Sequence, residues 1–187
     1  RYVKPAKPYL LKIDTSKQRV YAYSYDKATG SYSNLVRTMV CSTGKDATPT
    51  PKGTFTSTSP VARWGYFPKY DVWGQYLYRI NGSILFHSVL YTDSNENSLI
   101  AGSLYKLGSK ASHGCVRLSV EDAKWIYTNC SAGTTVKVVE GHRARLRFAF
   151  TFCDLRIGAG FLSLFAVRIG LALVGQAKQI IRRRFVI

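Results

Sequence analysis

The chain of 187 residues carries 27 Lys and Arg against 10 Asp and Glu, a formal net charge of +17. That length suits one domain with an appendage, and 46% hydrophobic with 13% aromatic residues excludes wholesale disorder. The charge points to an anionic partner, which could be nucleic acid, an anionic wall polymer or acidic lipid headgroups. It is unevenly spread. Residues 1–140 hold +9, with 12 Lys and 6 Arg. Residues 141–187 hold +8, with 1 Lys and 8 Arg, a single acid at Asp154, and no Tyr, Trp, Pro or Asn. The chain opens at Arg1 without Met, which reads as a fragment or a processed product, and no apolar signal-peptide core lies near it. Four cysteines (Cys41, Cys115, Cys130, Cys153) are too few and scattered for a disulfide-rich mini-fold. No pair has CxxC spacing, so a zinc ribbon is a poor reading.

Pro5 and Pro8 in a Lys-rich start predict an extended entry segment over residues 1–8. Residues 10–14 and 18–25 then read as strands joined by a hairpin-length link, the second rich in Tyr and alternating. Residues 26–30 make a turn and 35–40 return as a strand. Residues 42–53 (STGKDATPTPKG) are loop chemistry. Short strands follow at 54–58, 76–80 and 83–90, with Asn81-Gly82 as a hairpin signal between the last two. Residues 92–111 are polar and read as a long surface excursion, of the kind that is often functional. Ser119 followed by Glu121 and Asp122 is a helix start: a capping hydroxyl, then acids at the positive end of the helix dipole. Ala123, Ile126 and Tyr127 fall on one helical face. Gly133 stops the helix and residues 134–139 form a closing strand, so the coherent domain ends near Glu140.

The segment Ser112-His113-Gly114-Cys115-Val116-Arg117-Leu118 carries the chemistry. A thiol attacks only as thiolate, so a reactive cysteine needs a base or a positive potential nearby. His87, at the end of an apolar strand, is a candidate base for Cys115. Gly114 allows close backbone approach, which suits an oxyanion site built from N–H groups. On residue types alone, a buried inert cysteine competes evenly with a nucleophile. A zinc site from His87, His113 and Cys115 has no evident fourth ligand, and no metal is expected.

SHGCVRLS leading into an acidic helix start resembles the catalytic motif of the L,D-transpeptidases, the YkuD-type domains. Residues 9–14 with 18–21 look like the family's opening hairpin. Ser42-Thr43-Gly44 with Thr48-Pro49-Thr50-Pro51-Lys52-Gly53-Thr54-Phe55 resembles its STGK…TPTPxGxF segment, and residues 133–138 its last strand. The resemblance covers about residues 9–140. It implies a mainly β, β-sandwich-like fold with one main α-helix near residues 120–129. It also implies a peptidoglycan L,D-transpeptidase without cofactor, placed outside the cytoplasm at the cell wall or surface. Cys115 would attack the carbonyl of the third residue of a tetrapeptide stem and expel D-Ala. His87 would be the acid/base, oriented by the Ser88 backbone carbonyl. The N–H groups of His113, Gly114 and Cys115 would hold the oxyanion. A neighbouring stem amine would then form a 3→3 cross-link, or water would make the enzyme a carboxypeptidase.

The 24 residues between His87 and Ser112 exceed the family's usual spacer, which predicts an insertion in the active-site lid. Arg117 stands where many members have Asn; such a cation could hold a substrate carboxylate or be structural. Ser112 and Tyr91 are further substrate-binding candidates, with Tyr105 and Lys106 as neighbours by position. Cys41 and Cys130 are either disulfide partners or two unpaired buried thiols. A non-catalytic wall-binding module is the competing reading. Nucleic acid is not expected as a partner, because no helix-turn-helix, RRM or zinc-finger signature accompanies the charge. In the tail, residues 157–174 are a mostly apolar run interrupted by Arg168. The run is marginal for a membrane contact. The Lys-to-Arg switch and the end of the resemblance at Glu140 favour a frameshifted or mis-joined C-terminus.

Overall fold

Alternation of apolar and polar side chains builds most of this molecule, whose computed structural model describes residues 7–141. Ten strands result: β1 (Tyr9–Asp14), β2 (Arg19–Asp26), β3 (Ser31–Ser42), β4 (Gly53–Thr56), β5 (Pro60–Phe67), β6 (Val72–Asn81), β7 (Ile84–Ser88), β8 (Leu90–Tyr91), β9 (Val116–Leu118) and β10 (Thr135–Val139). A one-turn helix α1 (Ala101–Leu104) precedes β9, and α2 (Val120–Asn129) separates β9 from β10.

The strands lie in the order β4-β10-β1-β2-β3-β9-β7-β6-β5, with β8 on β6. The long β3 joins two halves. It pairs with β2 up to Val40, and with β9 through Cys41 and Ser42. Both halves turn apolar faces to one core. Leu11, Ile13, Val20, Met39, Val136 and Val138 come from the first half, and Tyr78, Ile80, Phe86, Val116 and Leu118 from the second. Leu11, Phe86 and Leu118 are fully buried, and full burial of such side chains contributes about 1.5–3 kcal/mol each. The β1–β2 link is fixed by Asp14, whose carboxylate accepts the N–H groups of Ser16 and Lys17 at 3.0 Å each.

Helix α2 starts where capping chemistry predicts. Ser119 Oγ accepts the Asp122 N–H at 3.0 Å, and Arg37 of β3 pairs with Glu121 at 2.6 Å and Asp122 at 2.8 Å. Ala123 and Ile126 are fully buried and press the helix onto the core.

The mainly β fold and the helix at 120–129 match expectation, as does the turn after Asn81. Three features differ. β5 has no counterpart in the sequence reading, which assigns nothing between 58 and 76; it is an edge strand, where its Pro60 and Gly65 are tolerated. β9 is three residues long, too short to show a period. The excursion 92–111 contains a 3-10 turn and α1. Of the two readings of Cys41 and Cys130, the structure has the unpaired one. Both thiols are free and fully buried, and burial pushes each pKa up to about 12. The readings made of residues 142–187, the run 157–174 included, lie outside the described residues, as do residues 1–6. Among the described residues no helix is long and apolar enough to cross a membrane.

Ile126→Ala should cost about 2–5 kcal/mol by opening a cavity under α2, and Ser119→Ala about 1 kcal/mol by removing the cap. Urea denaturation measures both; equal losses would mean that the buried face does not anchor the helix.

Candidate active site

The site starts from one strand pairing. β7 and β9 run parallel, with Phe86 opposite Val116, His87 opposite Arg117 and Ser88 opposite Leu118. Side chains alternate along each strand. Phe86, Val116 and Leu118 are fully buried in the core. His87, Arg117 and, one residue before β9, Cys115 therefore share the opposite face. That face is the floor of a groove of about 430 Å³, walled by Tyr66, Phe67, Tyr70, Leu77 and Arg79 among others.

A set of polar contacts holds the turn before β9. The Thr43 carbonyl accepts the N–H groups of Ala111 (3.0 Å) and Ser112 (3.1 Å), and the Lys45 N–H donates to the Ser112 carbonyl at 3.0 Å. Thr50 Oγ1 donates to the Gly114 carbonyl at 2.8 Å and accepts the Gly44 N–H at 2.9 Å. Ser112 Oγ donates to the Cys115 carbonyl and accepts the Gly114 N–H at 3.2 Å. The two loop segments 42–44 and 48–53 are thus the brace of the cysteine turn. Glycine is required at Gly44, where a Cβ would stand 2.2 Å from the Thr48 carbonyl oxygen. It is required at Gly114 too, where φ is +120° and a Cβ would meet Ile84 at 2.8 Å.

His87 is 3% exposed. Its Nδ1 lies 2.7 Å from the Ser88 carbonyl oxygen. A carbonyl can only accept, so Nδ1 carries the proton and Nε2 is left as the acceptor. Burial, aided by the charge of Arg117, pushes the His87 pKa down to about 3 against the opposing pull of that hydrogen bond. The Phe67 ring lies 4.8 Å from the imidazole. Burial also pushes the Cys115 thiol up, which a hydrogen bond from the Leu85 N–H and the charge of Arg117 partly offset. At rest the pair is therefore a neutral thiol and a neutral imidazole. His113 is exposed and stacked on Tyr70 with ring centres 4.5 Å apart. Desolvation, then Lys45, Arg117 and Lys69, hold its pKa below the ordinary histidine range.

The structure thus brings together Cys115, His87, the Ser88 carbonyl, Ser112, His113, Gly114 and Arg117. The Gly114 N–H already donates to Ser112 Oγ, which leaves those of His113 and Cys115 as the candidate oxyanion donors. Tyr91 is not brought to the groove: it is 3% exposed and packed edge-on against Trp64. Tyr105, 85% exposed, and Lys106 do not line it either. The excursion carrying them is tied to the C-terminal end of β3, by the Gly108 N–H on the Cys41 carbonyl and by Ser42 Oγ on the Lys106 carbonyl. The wall over the groove comes instead from the β5–β6 hairpin. Its aromatics Tyr66, Phe67 and Tyr70 were missed as site residues. The run YFPKYDVW is the signal that could have found them, since a strand-turn-strand reading puts these rings on one hairpin.

A family model described as the L,D-transpeptidase catalytic domain, YkuD, matches residues 8–138. The chain belongs to this family. A Bacillus subtilis (strain 168) protein provisionally assigned as an L,D-transpeptidase, YciB, is 40% identical over 111 residues, covering 57% of this chain and 56% of that protein. An L,D-transpeptidase from Mycobacterium smegmatis has the same fold, with a TM-score of 0.56 at 23% identity over 71% of this chain and 58% of that one. L,D-transpeptidase 3 from Mycobacterium tuberculosis, solved with a faropenem-derived adduct, has a TM-score of 0.54 at 22% identity over 71% and 60%. The chain therefore spans little more than half the length of the relatives it matches. Within this L,D-transpeptidase domain, residues 8–138 contain the whole cysteine turn and the groove floor.

The neutral imidazole has a consequence for stability. Between pH 6.5 and about 3 the unfolded chain takes up a proton at His87 that the folded site refuses, so stability falls as the pH drops through that window. His87→Asn removes this contribution. Urea midpoints at about pH 7.5 and about pH 4.5 should differ less in the variant than in the wild type; an equal drop would mean that His87 titrates normally when folded.

Proposed function

We propose that this domain is an exported peptidoglycan L,D-transpeptidase that works through a Cys115 thioester. The observation that carries the reading is the shared face of Cys115 and His87 on paired strands, with the imidazole presented as an acceptor by the Ser88 carbonyl. The Cys115 proton passes to His87 Nε2 as sulfur attacks the carbonyl carbon of the third stem residue. The carbonyl oxygen becomes an oxyanion held by the N–H groups of His113 and Cys115. The C–N bond then breaks, the imidazolium returns the proton to the departing D-Ala nitrogen, and a thioester remains. An amine on a neighbouring stem attacks the thioester, gives its proton to His87, and leaves as an amide in a 3→3 cross-link. Sulfur leaves as the thiol, so no oxidation state changes. The neutral resting pair fits a concerted proton transfer, because the base is unprotonated and shares the groove face with the thiol.

Stem peptides are thus both donor and acceptor, and the basic surface of residues 1–140 would favour an anionic wall. The match over half the length of relatives assigned to this activity supports the reading.

Two measurements test it. Incubation with a carbapenem followed by mass spectrometry should give one adduct on the wild type and none on Cys115→Ala; an adduct of equal yield on both would reject Cys115 as nucleophile. Digestion of purified muropeptides should yield 3→3 dimers. Tripeptides alone would make water the acceptor, and unchanged muropeptides would return the domain to a non-catalytic wall-binding role.

A further inference from the structure

The part of the sheet built from β10, β1 and β2 turns a basic, aromatic face away from the core. Alternation sends Leu11, Ile13, Val20 and Val136 inwards, all of them fully buried. The residues between such positions, Leu10, Lys12, Arg19, Tyr21, Tyr23 and Lys137, lie on the opposite face. Register then sets neighbours: Lys137 stands opposite Lys12, Lys12 opposite Tyr21, and Leu10 opposite Tyr23. Lys137 is exposed and the other five are half-buried.

The cations on this face lack a counter-charge. None of the ion pairs among the described residues includes Lys12, Arg19 or Lys137. The carboxylate nearest in register is Asp14, opposite Arg19, and it is already engaged. It is 5% exposed and accepts the N–H groups of Ser16, Lys17 and Gly141. Asp26, at the end of β2, is likewise turned onto its own loop, where it accepts the Ala28 N–H at 2.9 Å. Like charges directly opposite on neighbouring strands repel. The Lys12–Lys137 pair is therefore a local cost, and a bound anion recovers it.

Two features select the kind of anion. The rings of Tyr21 and Tyr23 lie along β2 with centres 6.5 Å apart, and Leu35 of β3, 51% exposed, stands opposite Tyr23. This is an apolar strip beside a row of cations, on open sheet surface and apart from the groove, whose lining includes none of these residues. Small ligands bind in concave sites. An open strip of rings suits an extended polymer with flat apolar faces, which sugar rings supply. The lysines are compact point charges, which suit phosphate without the directional fork of arginine. We propose that this face binds a phosphate-bearing glycan of the cell wall, with sugar rings over Tyr21 and Tyr23 and phosphates on Lys12 and Lys137. Arg19, held on the Gln18 carbonyl through Nη1 at 3.0 Å, adds charge at one end. The proposal takes the wall location from the reading above, and the face itself needs no cysteine chemistry.

The test uses the full chain at about 0.15 M salt, where distant charges are screened. Calorimetric titration with a purified glucosylated poly(glycerol phosphate) should show binding, and unphosphorylated dextran should not bind. Lys12→Gln with Lys137→Gln should weaken binding about tenfold, the size expected for two lysines on an anionic surface. Tyr21→Ser with Tyr23→Ser should weaken it too, through the lost ring contacts. Lys106→Gln with Lys124→Gln removes the same charge from exposed sites elsewhere and should bind like the wild type. Lys12→Glu separates binding from folding: beside Lys137 it should raise the melting temperature while binding is lost. Absence of polymer binding, equal losses in the two lysine doubles, or full binding by the tyrosine double or by Lys12→Glu overturns the proposal. So does a single-stranded oligonucleotide that binds as tightly as the glycan. Carbapenem acylation of the wild type, followed separately by mass spectrometry, keeps the two readings apart. Polymer binding without acylation would sink the enzyme reading alone. Acylation without polymer binding would sink the role of this face alone.

Discussion

The parallel pairing of β7 with β9 is the constraint on which the rest of the structure depends. Three matched residue pairs decide which side chains enter the core and which enter the groove. A slip of one residue would turn His87 or Arg117 into the core and Phe86 or Val116 out of it. The register is held by apolar burial on one side and by the polar brace of residues 43–50 on the other. Two parts of the chain that are far apart in sequence therefore converge on a single backbone turn. The helix α2 contributes by covering the core beneath that turn; its N-terminus begins beyond Leu118, too far along the chain to activate the thiol.

Electrostatics in the groove follow from the same geometry. Placing His87 and Arg117 side by side on one face, under an aromatic wall, removes water from both. The imidazole answers by staying neutral, and the guanidinium cannot. The Ser88 carbonyl then decides which nitrogen is the base. A thiol, an imidazole of fixed tautomer and a permanent cation thus lie along one strand pair, with no carboxylate in the groove lining.

Much of this was legible in the residues. The SHGC motif with His87 marked the residues that the structure brings to one groove face, because a thiol, an imidazole and a glycine for close approach each have their own sequence signature. Alternation gave β1, β2, β6, β7 and β10, and capping chemistry gave α2 to within a residue. What stayed hidden was tertiary. β5 is an edge strand with proline and glycine, so its period is broken. Tyr91 follows His87 by four residues, and only its burial against Trp64 shows that its ring leaves the groove. Thr50 lies in a run that reads as loop, and nothing local announces that its hydroxyl supports Gly114. The Nε of Arg117, buried and without a hydrogen-bond partner among the described residues, is set by its surroundings and has no sequence signature.

The free thiols have a wider consequence. Cys41 and Cys130 sit in the core as small apolar groups, and their high pKa values keep them from reacting. The described fold thus holds together without a covalent cross-link among residues 7–141. That leaves Cys115 as the thiol open to the medium among the described residues. Oxidants attack thiolates, and this sulfur rests protonated. The burial that keeps the Cys115 thiol protonated therefore also slows its oxidation by peroxide.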